Sequence, residues 1–189
     1  MAQLYFKYGA MGSSKTANAL MARFNYEERG QETLLVKPRL DTRDGDHMVY
    51  SRIGLKHPCI YFDEMRAMAD STLQSYACII IDEAQFLDES LVDVCNQLAN
   101  RGVRVIIAGL DMDFQGVPFG PIPALCAVAD EVTKVHAICV KCGALAYVSH
   151  RLVKNDRRVM LGEAQEYEPL CRACYQQAVK EEGQDNQEE

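Results

Sequence analysis

The stretch "QLYFKYGAMGSSKT", residues 3–16, sets a short apolar strand directly against a loop rich in glycine and serine. The loop, "GAMGSSKT" (9–16), follows the phosphate-binding pattern G-x-x-x-x-G-K-[ST] at all but one place, where Ser14 stands for the second glycine. Between a strand and a helix, the consecutive backbone N–H groups of such a loop and the helix N-terminus point at phosphate oxygens. Lys15 would neutralise phosphate charge, and the Thr16 hydroxyl would help to hold Mg²⁺. Gly9 and Gly12 supply the close backbone approach and positive φ that the loop needs. For these eight residues alone, a turn that merely caps a helix is the plain alternative.

The surrounding text decides between them. An amphipathic helix is expected over about 15–29, then a buried strand at 32–37, "ETLLVK". Residues 38–58 are polar and lack clear periodicity, a long connection for a compact domain and therefore functional or mobile in expectation. "CIYF" (59–62) reads as a short strand and "DEMRAMADSTLQS" (63–75) as helical. "ACIIID" (77–82) and "VRVIIAG" (103–109) are buried strands. Between them, Leu91, Val94, Cys95 and Leu98 share one face of a helix over 88–102 that Gly102 stops. Strands alternating with helices imply an α/β fold: a mainly parallel sheet with helices on both faces.

An acid at the end of a buried strand forms the second half of a phosphate site. "IIIDEAQF" supplies it: Asp82 can hold Mg²⁺, and Glu83 lies just beyond the strand end where a substrate would stand. Two solvated acids at a strand end are the bland alternative, but both halves in this order make a strong pair. "DEAQ" is also reminiscent of helicases, which need two such domains where this chain has room for one.

Eight cysteines fall into two classes. Cys59, Cys78, Cys95 and Cys126 are isolated and read as buried free thiols. Cys139, Cys142, Cys171 and Cys174 form two C-x-x-C pairs separated by 28 residues, enough for a hairpin plus a loop that leaves and returns. Four thiolates around one Zn²⁺ leave no open position, so the metal would be structural; a redox pair is the rival. His47, His57, His136 and His150 show no ligand spacing with the cysteines or one another.

Net charge is −7, and the last ten residues carry five acids and one lysine. This balance argues against a nucleic-acid or anionic-membrane partner, which would want a basic face. A small anionic ligand needs only a few aimed N–H groups. No apolar run approaches a membrane span and the first residues do not resemble a signal peptide, so a cytoplasmic location is expected.

With "GAMGSSKT", "IDEAQF", "AGLDMDFQGVPFG" (108–120) and the paired cysteines in this order, the chain resembles the zinc-containing, cellular-type (type II) thymidine kinases over nearly all of residues 1–178. The resemblance implies a P-loop, RecA-like kinase domain over 1–135, a zinc-binding lasso over 136–180 and an acidic disordered tail over 181–189. It implies transfer of the γ-phosphate of ATP to the 5′-hydroxyl of thymidine or deoxyuridine. Gly9, Ala10, Met11, Gly12, Ser13, Ser14, Lys15 and Thr16, with Asp82, Glu83, Ala84 and Gln85, would bind the donor and its Mg²⁺. Glu83 would accept the hydroxyl proton, and Asp41 and Arg43 match a loop near the reacting phosphate, where Arg43 would stabilise charge.

Met11, Phe86, Leu110, Phe114 and Phe119 match the apolar walls of the nucleoside pocket, although without the resemblance each reads as packing. Ser149 stands where the family commonly has threonine beside the base, and Tyr167 matches an aromatic next to the second cysteine pair. Arg158, Val159, Met160, Leu161 and Gly162 match the lasso segment whose backbone bonds the pyrimidine. Homotetramers inhibited by thymidine triphosphate are typical of the family. Two other readings remain: a nucleotide-binding protein whose phosphoryl transfer Ser14 has disabled, and a zinc module that binds nucleic acid. On the leading reading Ser14 leaves the site intact, with an altered donor affinity.

Overall fold

The computed structural model describes residues 3–43, 45–153 and 166–185. Its centre is a six-stranded sheet built from β1 (Leu4–Tyr8), β2 (Thr33–Lys37), β5 (Ile60–Tyr61), β6 (Cys78–Ile81), β7 (Arg104–Gly109) and β8 (Glu131–Lys134). The order across the sheet is β5-β2-β6-β7-β1-β8, and every pairing is parallel. The expected mainly parallel sheet is therefore present.

Helices α1 (Lys15–Glu27), α2 (Phe62–Arg66), α3 (Asp70–Leu73), α4 (Ser90–Asn100) and α5 (Ile122–Val128) connect these strands. The period of two along the strands sorts the core into two layers. Phe6, Val36, Ile79, Ile81 and Ile107 face α4 and α5, whose Leu91, Cys95, Leu98 and Leu125 cover them. Leu35, Cys78, Ile80 and Ile106 face the other way, against Ala19 and Leu20 of α1. All four residues of β6 are fully buried, which is why "CIII" carries no polar alternation. Cys78 and Cys95 are buried as expected, and burial pushes both thiols up to about 12.

The helical stretch after β5 is two short helices rather than one, broken between Arg66 and Asp70. The connection after β2 also departs from expectation. Within it lies an antiparallel hairpin of β3 (Met48–Tyr50) and β4 (Lys56–Pro58), in register at Met48–Pro58, Val49–His57 and Tyr50–Lys56. Val49 anchors this hairpin in the layer that α1 covers.

Beyond β8, β9 (Val148–Arg151) and β10 (Tyr167–Leu170) pair antiparallel, and α6 (Arg172–Asp185) follows. Val148, Leu170, Ala178 and Cys139 make a small core of their own. The tail, expected to be disordered from 181, is helical as far as Asp185. Its first residues are held by local and tertiary bonds. Gln177 donates to Glu181 at 2.8 Å, one turn on, and the Glu182 carboxylate lies 3.0 Å from the His150 ring.

Candidate active site

The phosphate-binding loop leaves β1 at the carboxyl edge of the sheet, where ligands of open parallel sheets bind. Gly9 is required by close approach, because a Cβ there would stand 2.0 Å from the Val135 carbonyl oxygen. Gly12 has φ 76°, in the left-handed region. Ser14, at the place of the absent glycine, takes the same kind of conformation, φ 61° and ψ 24°, and caps α1. The backbone thus adopts what the motif demands, and the serine bears the strain.

A left-handed L-residue costs roughly 1–2 kcal/mol, partly offset against glycine by the chain entropy that glycine loses. Ser14→Gly is accordingly expected to raise stability by about 0.5–1 kcal/mol, or roughly 2–3 °C in Tm. The ATP KM should move by less than about twofold, because the backbone N–H groups already point as required. Thermal unfolding and steady-state kinetics check both parts.

Lys15 is buried and donates to the Ala10 carbonyl at 2.8 Å and to Ser13 Oγ at 3.2 Å. Burial lowers its pKa, against the raising influence of Glu83, Asp82 and Asp111. Asp82 follows β6 and is also buried. Burial, then the charge of Glu83, pushes its carboxyl up to about 7, although the Thr16 hydroxyl and the Glu83 N–H bond to it. Thr16 and Asp82, which belong to two motifs far apart in the sequence, are thus in direct contact. A divalent cation is the partner that such a buried carboxyl and hydroxyl suit.

Glu83 has a left-handed backbone, φ 53°, which turns its side chain out of the strand direction at the start of a short 3₁₀ turn, Ala84–Phe86. Two donors hold its carboxylate: Arg43 Nη2 at 2.6 Å and Gln85 Nε2 at 2.5 Å. Arg43 is itself fixed through Nε by the buried Asp41, at 2.7 Å. The two carboxylates outweigh burial and raise the Arg43 pKa above its ordinary value. Gln85 Oε1 accepts the Leu110 N–H at 2.9 Å. Gly120, φ 52°, packs so tightly that a Cβ would stand 2.5 Å from the Gln85 carbonyl oxygen. The expected loop residues Asp41 and Arg43 therefore reach the site, where Arg43 is engaged with Glu83.

A cavity of about 470 Å³ joins these parts, within the range of ordinary ligand sites. The phosphate loop from Met11 to Thr16, Arg43, Asp82, Glu83 and Leu110 line it, as do Tyr50 to Ile53 of the hairpin turn. Met11 and Leu110, expected as walls of a nucleoside pocket, line this cavity. Phe86 and Phe119 pack edge to face at 5.7 Å between ring centroids. Phe114 lies under the Arg151 guanidinium at 3.7 Å, and that guanidinium donates to the Tyr167 hydroxyl at 2.9 and 3.1 Å. Ser149 is buried and its Oγ accepts the Met11 N–H at 2.8 Å, so it supports the phosphate loop. Residues 158–162, expected beside the base, lie outside the described residues. Arg52 and Arg151 carried no motif signal in the sequence.

The sulfurs of Cys139, Cys142, Cys171 and Cys174 all lie within 4.8 Å of one another, with Cys142 and Cys171 at 3.6 Å. Four ligands about 2.3 Å from one zinc need sulfur–sulfur distances of roughly 3.8 Å, so the group fits a tetrahedral ion. Against burial, backbone N–H groups bring the Cys139 thiol down to about 6, whereas neighbouring sulfurs push Cys174 up to about 12. A set that cannot shed all its protons on its own is one whose charge a cation would balance.

A strand–loop–helix phosphate cradle, a buried carboxyl beside its Thr, and a carboxylate aimed into the shared cavity define a P-loop nucleotide-dependent phosphotransferase. The family profile described as "Thymidine kinase" matches residues 2–175. The thymidine kinase of Bacteroides fragilis is 51% identical over 92% of this chain and 86% of its own. That of Bacteroides thetaiotaomicron is 50% identical over 93% and 88%. This chain belongs to the thymidine kinase family. Among solved structures, AMPPCP-bound DnaA from Aquifex aeolicus aligns with TM-score 0.44 at 14% identity, over 72% of this chain and 41% of that one.

Proposed function

We propose that this chain transfers the γ-phosphate of ATP to the 5′-hydroxyl of thymidine or deoxyuridine, in salvage of pyrimidine deoxynucleotides for DNA synthesis. One observation carries the reading: the Glu83 carboxylate, held by two donors, opens into the same cavity as the phosphate loop. The loop residues 9–16 bind the donor phosphates, with Lys15 turning from the Ala10 carbonyl to the anion. Thr16 and Asp82 would hold Mg²⁺, which would supply positive charge against the donor phosphates. Glu83 accepts the hydroxyl proton, and the Gln85–Leu110 bond fixes the turn on which Glu83 stands.

The four cysteines hold a structural Zn²⁺ that closes the base of the 136–180 module. Ser149, Tyr167, Phe86, Phe114, Phe119 and the stretch 158–162 belong to the nucleoside side of the site. A homotetrameric assembly, inhibition by thymidine triphosphate and a cytoplasmic location complete the proposal. Among the described residues no helix is long and apolar enough to cross a membrane.

A coupled assay with ATP, Mg²⁺ and thymidine tests the reading. Turnover should be abundant with thymidine and deoxyuridine and near background with purine deoxynucleosides. Nucleotide binding without turnover from zinc-replete protein would instead favour an impaired relative.

A further inference from the structure

We infer that Arg52, in the turn of the β3–β4 hairpin, binds the terminal phosphate of the nucleoside triphosphate. Its Nη1 lies 3.8 Å from where a Cβ on Gly12 would stand, over the open face of the phosphate loop. It lines the cavity with Lys15 and lies close enough to act on that lysine's charge. The other lining cations have acids beside them. Arg43 holds Asp41 and Glu83, and Lys15 feels the charges of Glu83, Asp82 and Asp111. Among the described residues, Arg52 has no carboxylate or hydrogen-bond partner. Its guanidinium stands beside the Lys15 ammonium with no carboxylate of its own, an arrangement that an anion placed between the two would relieve.

The turn is built to hold the guanidinium there. Ser51 is buried and receives the Leu55 N–H on its Oγ at 3.1 Å, while its own N–H donates to the Leu55 carbonyl at 2.7 Å. The Gly54 N–H donates to the Ser51 carbonyl at 2.9 Å, with Gly54 at φ 90°. Val49 fixes the hairpin in the core. An arginine so placed supplies in cis the charge that phosphoryl transfer needs as the γ-phosphate leaves. It offers five donors in a rigid fork, which a lysine does not.

The inference rests on the cavity being a triphosphate site, and the test separates the two. Arg52 is exposed, so Arg52→Ala should fold with an unchanged Tm. By calorimetry the variant should bind ATP about 10-fold or more weakly and ADP within about 3-fold of wild type. Its kcat should fall about 10²–10³-fold with the thymidine KM little changed, and Arg52→Lys should recover only part of the loss. Equal ATP-to-ADP discrimination in wild type and Arg52→Ala would overturn the inference. A wild-type protein that binds ATP but leaves thymidine untouched would sink the proposed function, while the ATP–ADP contrast still decides Arg52. Failure of the wild type to bind either nucleotide overturns both.

Discussion

Glu83→Gln is expected to lower kcat for thymidine phosphorylation by about 10³-fold, within the 10²–10⁴ that a positioned general base contributes. ATP and thymidine binding should change far less, because the phosphate loop and the cavity walls are left in place. The substitution is nearly isosteric, but it removes a charge held by Arg43 at 2.6 Å and Gln85 at 2.5 Å. The new amide must turn its NH₂ toward one of these donors, so one contact is lost as well as the base. Arg43 keeps Asp41 and should hold its place. Single-turnover kinetics beside equilibrium binding separate the lost chemistry from any lost affinity. A kcat within tenfold of wild type would remove Glu83 from the proton-accepting role.

Stripping metal with a strong chelator, or replacing Cys142 with serine, should have the next largest effect. Three sulfurs cannot close a tetrahedral structural site, and the module's core of Val148, Leu170, Ala178 and Cys139 is small. The β9–β10 pairing should therefore come apart, with loss of essentially all thymidine turnover. ATP binding should survive in weakened form, because β1, α1 and β6 belong to the separately packed sheet core. Metal analysis, circular dichroism and nucleotide titration on one preparation read all three outcomes. Full activity from zinc-free protein would contradict the structural role of the quartet.

The alternation of buried strands and helices was legible because β6 is apolar throughout and β7 is apolar beyond Arg104, β-branched runs of the length that strands buried on both faces take. The phosphate loop, Asp82–Glu83 and the cysteine pairs were legible because their chemistry demands fixed local spacing. The hairpin of β3 and β4 was not. Its strands are three residues each, and "KHP" is polar and ends on proline, so it carries no period to detect. The Arg43–Glu83 pair joins residues forty positions apart, and Ser149 meets Met11 across 138. Such partners are fixed by how the layers stack. The last turns of α6 carry, beside the local Gln177–Glu181 bond, the contact of Glu182 with His150, again a tertiary partner.

The bond from Met11 N–H to Ser149 Oγ has a thermodynamic meaning beyond geometry. One end belongs to the strand of the cysteine-bound module and the other to the loop at the head of α1. Anything that shifts β9 therefore changes the free energy of ordering that loop, and by linkage the loop's occupant changes the affinity of the module by the same factor. Saturation with one substrate should therefore shift the midpoint of the other's binding curve, and Ser149→Ala should reduce that shift, as titrations of each substrate with and without the other would measure.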